Sequence, residues 1–376
     1  MKILIDIGHP AHVHYFKNFI RLMEERRHSI FIIARDKEVS FQLLDYYKFV
    51  YTSRGKGKKG VLGKLLYIIK ADIILIKKAL RVKPDLFLSF GSPYAAHAAW
   101  ITRKPHIAFD DTDKNPFEHF LYVPFTKTIL TPSVYRRDFG EKHLRFDGFM
   151  ELCSTHPNYF VPDLKCIESL LDLSPGERFA VLRFVSWEAS HDLGMSGLTR
   201  EEKFELVKQL SQHTRVIISS ESELPKQLIP YAYRIHPAFM HDLLYRASLL
   251  VSESLTMSAE AAFLGTPSIC VSMATAGTLD EEVRLKLIEL HRTTEGVIDR
   301  ALEIIQDKTY KERFQAFSAR IVQEKVDVTA LMTWVIENYP GSVSILKNNP
   351  RFLDVFKEPD SLSLSSRPRK QTTVFT

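Results

Sequence analysis

Residues 245–272 read YRASLLVSESLTMSAEAAFLGTPSICVS. A short apolar run at 249–252 ends in a polar turn. A helix-length pattern over 257–264 follows, Gly265, Thr266 and Pro267 stop it, and a second apolar run fills 268–271. Apolar run, helix, apolar run is the mark of a βαβ unit in a parallel sheet. In such sheets ligands bind beyond the carboxyl ends of the strands, where the next helix begins. Here Ser254, Thr256 and Ser258 offer hydroxyls at a helix start, where free N–H groups and the dipole favour an anion. Glu260 stands one turn further on, where a carboxylate can accept both hydroxyls of a ribose. Ordinary Ser/Thr capping with a solvated Glu260 would account for the same letters.

The pattern extends in both directions. Further strands are expected at 180–186 and 215–219, with helices at 201–212 and 240–247. Upstream, strands are expected at 2–7, 29–34, 86–89, 106–109 and 128–131, with helices at 14–27 and 39–46 between them. These form two α/β sheets, and "HPNYFVPD" and "LSPGERF" place the boundary within 150–178. Helical patterns are expected from 281 to 339. The Ser/Thr-rich tail should be disordered over its last ~15 residues.

With 376 residues, two domains are expected, and 45% hydrophobic content is enough to build two cores. The net charge of +6 suits an anionic partner: nucleotide phosphate, a membrane surface or nucleic acid. No zinc-finger spacing, RNP motif or helix-turn-helix is found, so no nucleic-acid partner is expected. The three cysteines, Cys153, Cys166 and Cys270, form no CxxC pair. That fits a reducing cytosol and no structural zinc. No signal peptide is read at the start, because Lys2 leads straight into a strand-like segment; a cytoplasmic protein is expected.

Three other strand ends carry candidate groups. Gly8 follows the first strand and allows a tight turn and close ligand approach, but "GHPAH" is not GxGxxG, and no P-loop occurs. His9, His12 and His14 come next. They are read as metal ligands, as helix-start packing, or as hydrogen-bonding and acid/base groups lining a cleft; His9 and His12 are the stronger candidates for the last role, and no metal is expected. In "HIAFDDTDKN" (106–115), Asp110 or Asp111 can serve as a general base, or the acidic residues can cap a helix. In "RFVSWEASHDLG" (183–194), Arg183 can neutralise phosphate and Ser186 can bind oxygen, or Arg183 can sit in a structural ion pair.

The stretch "SESLTMSAEAAFLGTPSI" resembles the donor-nucleotide motif of GT-B-fold glycosyltransferases and of UDP-N-acetylglucosamine 2-epimerase. Together with "KILIDIGHPAHVHYFKN" and "RFVSWEASHD" it resembles the family called domain of unknown function 354, over roughly residues 1–335. The resemblance implies two Rossmann-like domains facing across a cleft: 1–165 on the acceptor side, 166–340 binding nucleotide, and 341–376 as an extension. It places Glu260 at the ribose, Ser254 and Thr256 near the diphosphate, backbone at Ile235 in "RIHPAFMHDLL" at the base, and Asp110 at a catalytic position. It implies no cofactor and no bound metal, with a nucleotide sugar, UDP-linked, as the donor substrate. Two departures stand out. Leu255 occupies a position where relatives carry glycine, and leucine resists positive φ. The epimerase's Thr-Glu-Arg-Pro-Glu segment is replaced by "MATAGTLDEE".

The expected activity is therefore transfer of a sugar to an acceptor glycan or glycolipid, in surface polysaccharide or glycolipid synthesis. His9, His12 or Asp110 would act as base, and Arg183 with the helix start would hold the leaving diphosphate. The alternatives are epimerisation or hydrolysis of a nucleotide sugar, and a non-catalytic interaction protein on the same fold. The lysine-rich apolar stretch 56–83 has Lys64, Lys70, Asp72, Lys77 and Lys78 within its candidate span, too many charges to cross a bilayer. It is read either as helix packing Leu66, Ile69, Ile73 and Ile76 into the core, or as that helix also docking peripherally on an anionic membrane surface.

Overall fold

The apolar runs pair into two parallel sheets in a computed structural model, which describes residues 1–58, 60–185, 197–220, 222–233 and 235–358. The chain divides into two units: Met1–Ser154 with the described residues from Gln323 onward, and Thr155–Val322. In the first unit the strands are β1 (Lys2–Ile7), β2 (Ser29–Asp36), β3 (Tyr51–Lys56), β4 (Leu86–Phe90), β5 (His106–Phe109), β6 (Thr128–Pro132) and β7 (His143–Phe146). They lie in the order β3-β2-β1-β4-β5-β6-β7, and every pairing is parallel. The second unit holds β8 (Phe179–Phe184), β9 (Arg215–Ser220), β10 (Leu249–Ser252), β11 (Ser268–Val271) and β12 (Ile288–His291), ordered β12-β11-β10-β8-β9 and again parallel.

Central strands are covered on both faces, so they read as unbroken apolar runs. Ile3, Leu4, Ile5 and Ile7 of β1 are fully buried. On one face, Leu4, Ile33 and Phe87 pack with Leu75 and Ala79 of helix Val61–Val82 and Ala95, Ala98 and Ala99 of helix Pro93–Ile101. In the second unit, Leu182, Val251 and Ile269 meet Leu206 and Ile304 in the same way.

Several expectations are corrected. β3, β7 and β12 were not anticipated, and β12 falls where only helix was expected; all three are sheet edges, where an apolar run is not required. The first helix begins at Pro10, ahead of the expected 14, because His9 caps it and proline suits its first position. Residues from 323 onward, expected up to 340 in the second half, return to the first unit. The reason is helix Val328–Glu337, buried along its length, with Thr329 Oγ1 donating to the Cys153 carbonyl. Leu66, Ile69 and Ile73 do not enter the core: Tyr67, Ala71, Leu75 and Ala79 do. The tail residues expected to be disordered lie among 359–376, outside the described residues.

Candidate functional site

In the first unit, candidate groups gather where β1, β4 and β5 end. Asp6, the penultimate residue of the apolar strand β1, is buried and ion-paired with buried Arg54 of β3 (Nε–Oδ1 2.9 Å). Ser92, which caps the helix after β4, donates to Asp6 Oδ2 at 2.5 Å, and Arg54 lies over the Tyr94 ring at 4.5 Å. Burial raises Tyr94 to about 12, with Arg54 opposing the shift. This network sits directly behind Gly8, where a Cβ would come within 3.4 Å of Arg54 Nη2.

The two candidate histidines have their Nδ1 atoms occupied. His9 Nδ1 accepts the Ala11 N–H at 3.2 Å, and His12 Nδ1 accepts the Gly8 N–H at 3.3 Å. Each ring therefore carries its proton on Nε2 when neutral, and donates rather than accepts there. Burial, with added repulsion from His9 and Arg54, pushes His12 well below the ordinary imidazole value, so it stays neutral. His12 packs on Phe90 at the end of β4, ring centroids 4.8 Å apart. His14 is buried edge-on to Tyr47 rather than on the helix surface.

The acidic loop after β5 splits into two unlike carboxylates. Asp110 is buried and accepts from the Tyr122 hydroxyl at 2.5 Å, the Tyr135 hydroxyl at 3.2 Å and the Thr112 N–H at 2.8 Å; His119 Nε2 stands 3.2 Å away. Oδ2 thus takes two hydroxyl donors and Oδ1 one backbone N–H. Gly91, with φ of 57°, brings the end of β4 close, so that a Cβ there would lie 3.6 Å from Asp110 Oδ2. Asp111 is less enclosed and accepts the Thr112 hydroxyl at 3.1 Å. Burial first, then the neighbouring Asp110 charge, raises Asp111 to about 7. The same causes raise Tyr122 and Tyr135, which remain protonated donors.

In the second unit, the sheet register sets Arg183 beside Ser252, and the Glu253 N–H donates to the Arg183 carbonyl at 3.0 Å. The Arg183 backbone thus lies beside the strand end that leads into helix Leu255–Phe263, while its Nη1 donates to Ser219 Oγ of β9, on the other side of β8, at 2.9 Å. Ser254 is the N-cap and accepts the Met257 N–H, while Ser252 Oγ accepts the Ser254 N–H at 2.8 Å. Leu255 begins the helix without positive φ, so the turn differs from a glycine turn. Thr256 is half-buried in the first turn, and Ser258 is fully buried. Glu260 is also buried, not solvated, its Oε1 3.2 Å from Nε2 of buried His241. Ile235 lines a hollow of about 500 Å³ along β9 with Tyr231, Tyr233, His236 and Phe239. Ser186 lies outside the described residues.

Sequence reasoning missed Asp6–Arg54, His119, Tyr122, Tyr135, His241 and Glu253. A charge inside KILIDI was a signal for the first, and the three-residue spacing of His119 and Tyr122 on one helix for the next two. Glu253 left no such signal. It accepts the Val185 and Leu198 N–H groups and pairs with buried Lys203 at 2.9 Å, which only the fold brings together. Among the described residues no three His, Cys, Asp or Glu side chains are grouped to hold a metal.

The fold has known counterparts. A UDP-GlcNAc 2-epimerase from Neisseria meningitidis, bound to UDP-GlcNAc, is 14% identical, with 86% of this chain and 99% of that one covered, at a TM-score of 0.62. The spinosyn forosaminyltransferase SpnP is 12% identical over 94% of this chain and 99% of its own, at 0.57. The architecture is thus GT-B-like, with two Rossmann-like halves. An uncharacterised protein of Methanocaldococcus jannaschii is 22% identical over 280 residues, 72% of this chain and 81% of that protein. Residues 1–327 match one family throughout, and the chain belongs to that family, described as "Protein of unknown function (DUF354)".

Proposed function

We propose that this protein is a metal-independent glycosyltransferase that uses a nucleotide sugar, UDP-linked, and delivers the sugar to an acceptor glycan or glycolipid. The observation that carries this reading is the register of β8 and β10, which aligns Arg183 with Ser252 and hence with the start of helix Leu255–Phe263. On this reading the Arg183 guanidinium turns from Ser219 to the diphosphate held at the first-turn N–H groups, and stabilises the negative charge that grows as the diphosphate leaves. Glu260, held by His241, is assigned to the ribose, Ser254 and Thr256 to the diphosphate, and the Ile235 backbone to the base.

In the first unit Asp111 takes the role of base, displacing His9, His12 and Asp110. Its carboxylate accepts the Thr112 hydroxyl and is raised by burial and by the neighbouring Asp110 charge to about 7. It removes the acceptor hydroxyl proton as that oxygen attacks the anomeric carbon and the bond to the diphosphate oxygen breaks. Asp110, with Tyr122 and Tyr135, keeps the neighbouring charge in place, and the His12 Nε2–H is a donor. The pathway proposed is surface polysaccharide or glycolipid synthesis in the cytoplasm.

Epimerisation or hydrolysis of a nucleotide sugar is the second reading, since an epimerase shares the fold. A panel of nucleotide sugars, offered with and without a lipid-linked acceptor and with excess chelator, separates the two. Sugar transfer that needs both compounds and survives chelation is the expected result. Turnover of the nucleotide sugar alone would replace transfer by the second reading; no turnover and no nucleotide binding would overturn both.

A further inference from the structure

Helix Val61–Val82 carries two apolar faces, and only one of them is buried. Tyr67, Ala71, Leu75 and Ala79 point into the sheet. On the opposite side Leu62, Leu66, Ile69, Ile73 and Leu80 stand between 46% and 70% exposed. Their spacing of four, three, four and seven keeps them on one stripe of a 3.6-residue helix. At 1.5 Å per residue that stripe runs roughly 27 Å.

The neighbouring helices continue it. Asp72 pairs with His97 of helix Pro93–Ile101 at 3.1 Å, and His97 Nε2 reaches the Leu121 carbonyl of helix Pro116–Tyr122 at 3.0 Å. The second of these helices exposes Trp100 and Ile101, the third Phe117 and Phe120. Scattered exposed apolar residues are ordinary, but large ones concentrated on three adjacent helices mark an interaction surface.

Charge identifies the partner. Helix Val61–Val82 holds Lys64, Lys70, Lys77, Lys78 and Arg81 against a single acid, Asp72, which is tied to His97. Lys70, Lys77 and Arg81 fall along one margin of the exposed stripe. Arg103 and Lys104 follow Trp100, and Lys127 follows the third helix; Glu118 is the one acid on the outer helices. A second copy of this surface would bring like charges together, whereas an anionic bilayer satisfies both the cations and the apolar stripe. No helix among the described residues is long and apolar enough to cross a membrane, so the contact is lateral.

We propose that the outer face of helices Val61–Val82, Pro93–Ile101 and Pro116–Tyr122 seats the protein on an anionic bilayer. Leu66, Ile69 and Ile73 enter the interfacial layer, and Lys70, Lys77 and Arg81 meet lipid phosphates. Helix Pro116–Tyr122 shows Phe117 and Phe120 to this surface and sets Tyr122 on Asp110, so a lipid-carried acceptor would arrive beside the acidic loop. That last clause rests on the transferase reading; bilayer binding does not, and the test reads binding alone.

The experiment is flotation of the full chain with phosphatidylcholine vesicles and with vesicles containing phosphatidylglycerol, at ionic strengths of about 0.05 and about 0.5 M. Tryptophan fluorescence is followed in parallel. Binding is expected only to the anionic vesicles, fading at high salt, with a blue shift that Trp100→Phe abolishes. Changing Lys70, Lys77 and Arg81 to Gln should lower partitioning on the order of a hundredfold. Ile69→Gln with Ile73→Gln should lower it about tenfold or more while circular dichroism is unchanged. Equal binding to both vesicles, or none, overturns the proposal. So does self-association in sedimentation velocity that the isoleucine changes remove, which would make a second copy the partner.

Discussion

The carboxyl ends of the two sheets are built alike and carry different side chains. In the first unit, β1 and β5 end at carboxylates, Asp6 and the Asp110–Asp111 pair, held by a guanidinium and by phenols. In the second, β8 and β10 end at Arg183 and at serines leading into a helix start. Both units share the parallel βαβ geometry, so the difference comes from the few residues after each strand. One end is suited to holding a proton near neutrality, the other to holding an anion. Under the proposed function the same backbone plan separates proton chemistry from donor binding, and the two are then expected to respond to different substitutions.

The sharpest way to break this division is at Asp111. Asp111→Asn should lower turnover by about 10²–10⁴-fold while nucleotide affinity, measured by calorimetry, stays unchanged. A loss of affinity with normal turnover would reverse the assignment of the two units. Arg54→Met should cost about 3–5 kcal/mol in denaturant unfolding, because Asp6 would be left buried and unpaired. Adding Asp6→Asn should recover most of that loss, and a double variant no better than the single one would show that the pair is not coupled.

A smaller effect is expected in the second unit. Glu260→Gln should weaken nucleotide binding by about 1–3 kcal/mol through loss of a charge-assisted bond. Because Glu260 is buried against His241, stability should also fall, which a solvated glutamate would not produce. Unchanged affinity would remove Glu260 from the ribose.

The smallest effect is a slope with pH. Asp111 is raised from 3.8 to about 7 in the folded chain. Between those values the folded state binds the extra proton, so stability should fall as pH rises through that window. Asp111→Asn should flatten this part of the curve, and Asp110→Asn should move its upper limit down by removing a neighbouring charge. A slope that survives Asp111→Asn belongs to another group.

Much of this was legible in the letters. Buried central strands must be continuously apolar, and so LLVS and KILIDI announce themselves. The helix start at Ser254 was legible because N-caps favour serine and Gly265 with Pro267 ends the pattern. Edge strands such as IELH and YTSRGK obey no such rule, and β12, β7 and β3 were invisible for that reason. Helix Val61–Val82 shows the same limit, since two opposed apolar stripes cannot be ranked without knowing which one meets the sheet.

What the sequence determined by itself was the parallel α/β plan, the family, and the residue types at each strand end. The plan and the residue types rest on local periodicity and capping chemistry, and the family rests on the likeness of its sequence motifs. What the tertiary structure decided was the state of those residues. Asp110 and Asp111 are adjacent in the chain, yet one is held by the Tyr122 and Tyr135 hydroxyls and the other is raised to about 7. Asp6 meets Arg54 across 48 residues, and Glu260 meets His241 from a different helix. Protonation and donor satisfaction depend on burial and on partners distant in sequence, and only the folded chain brings those partners within hydrogen-bond reach.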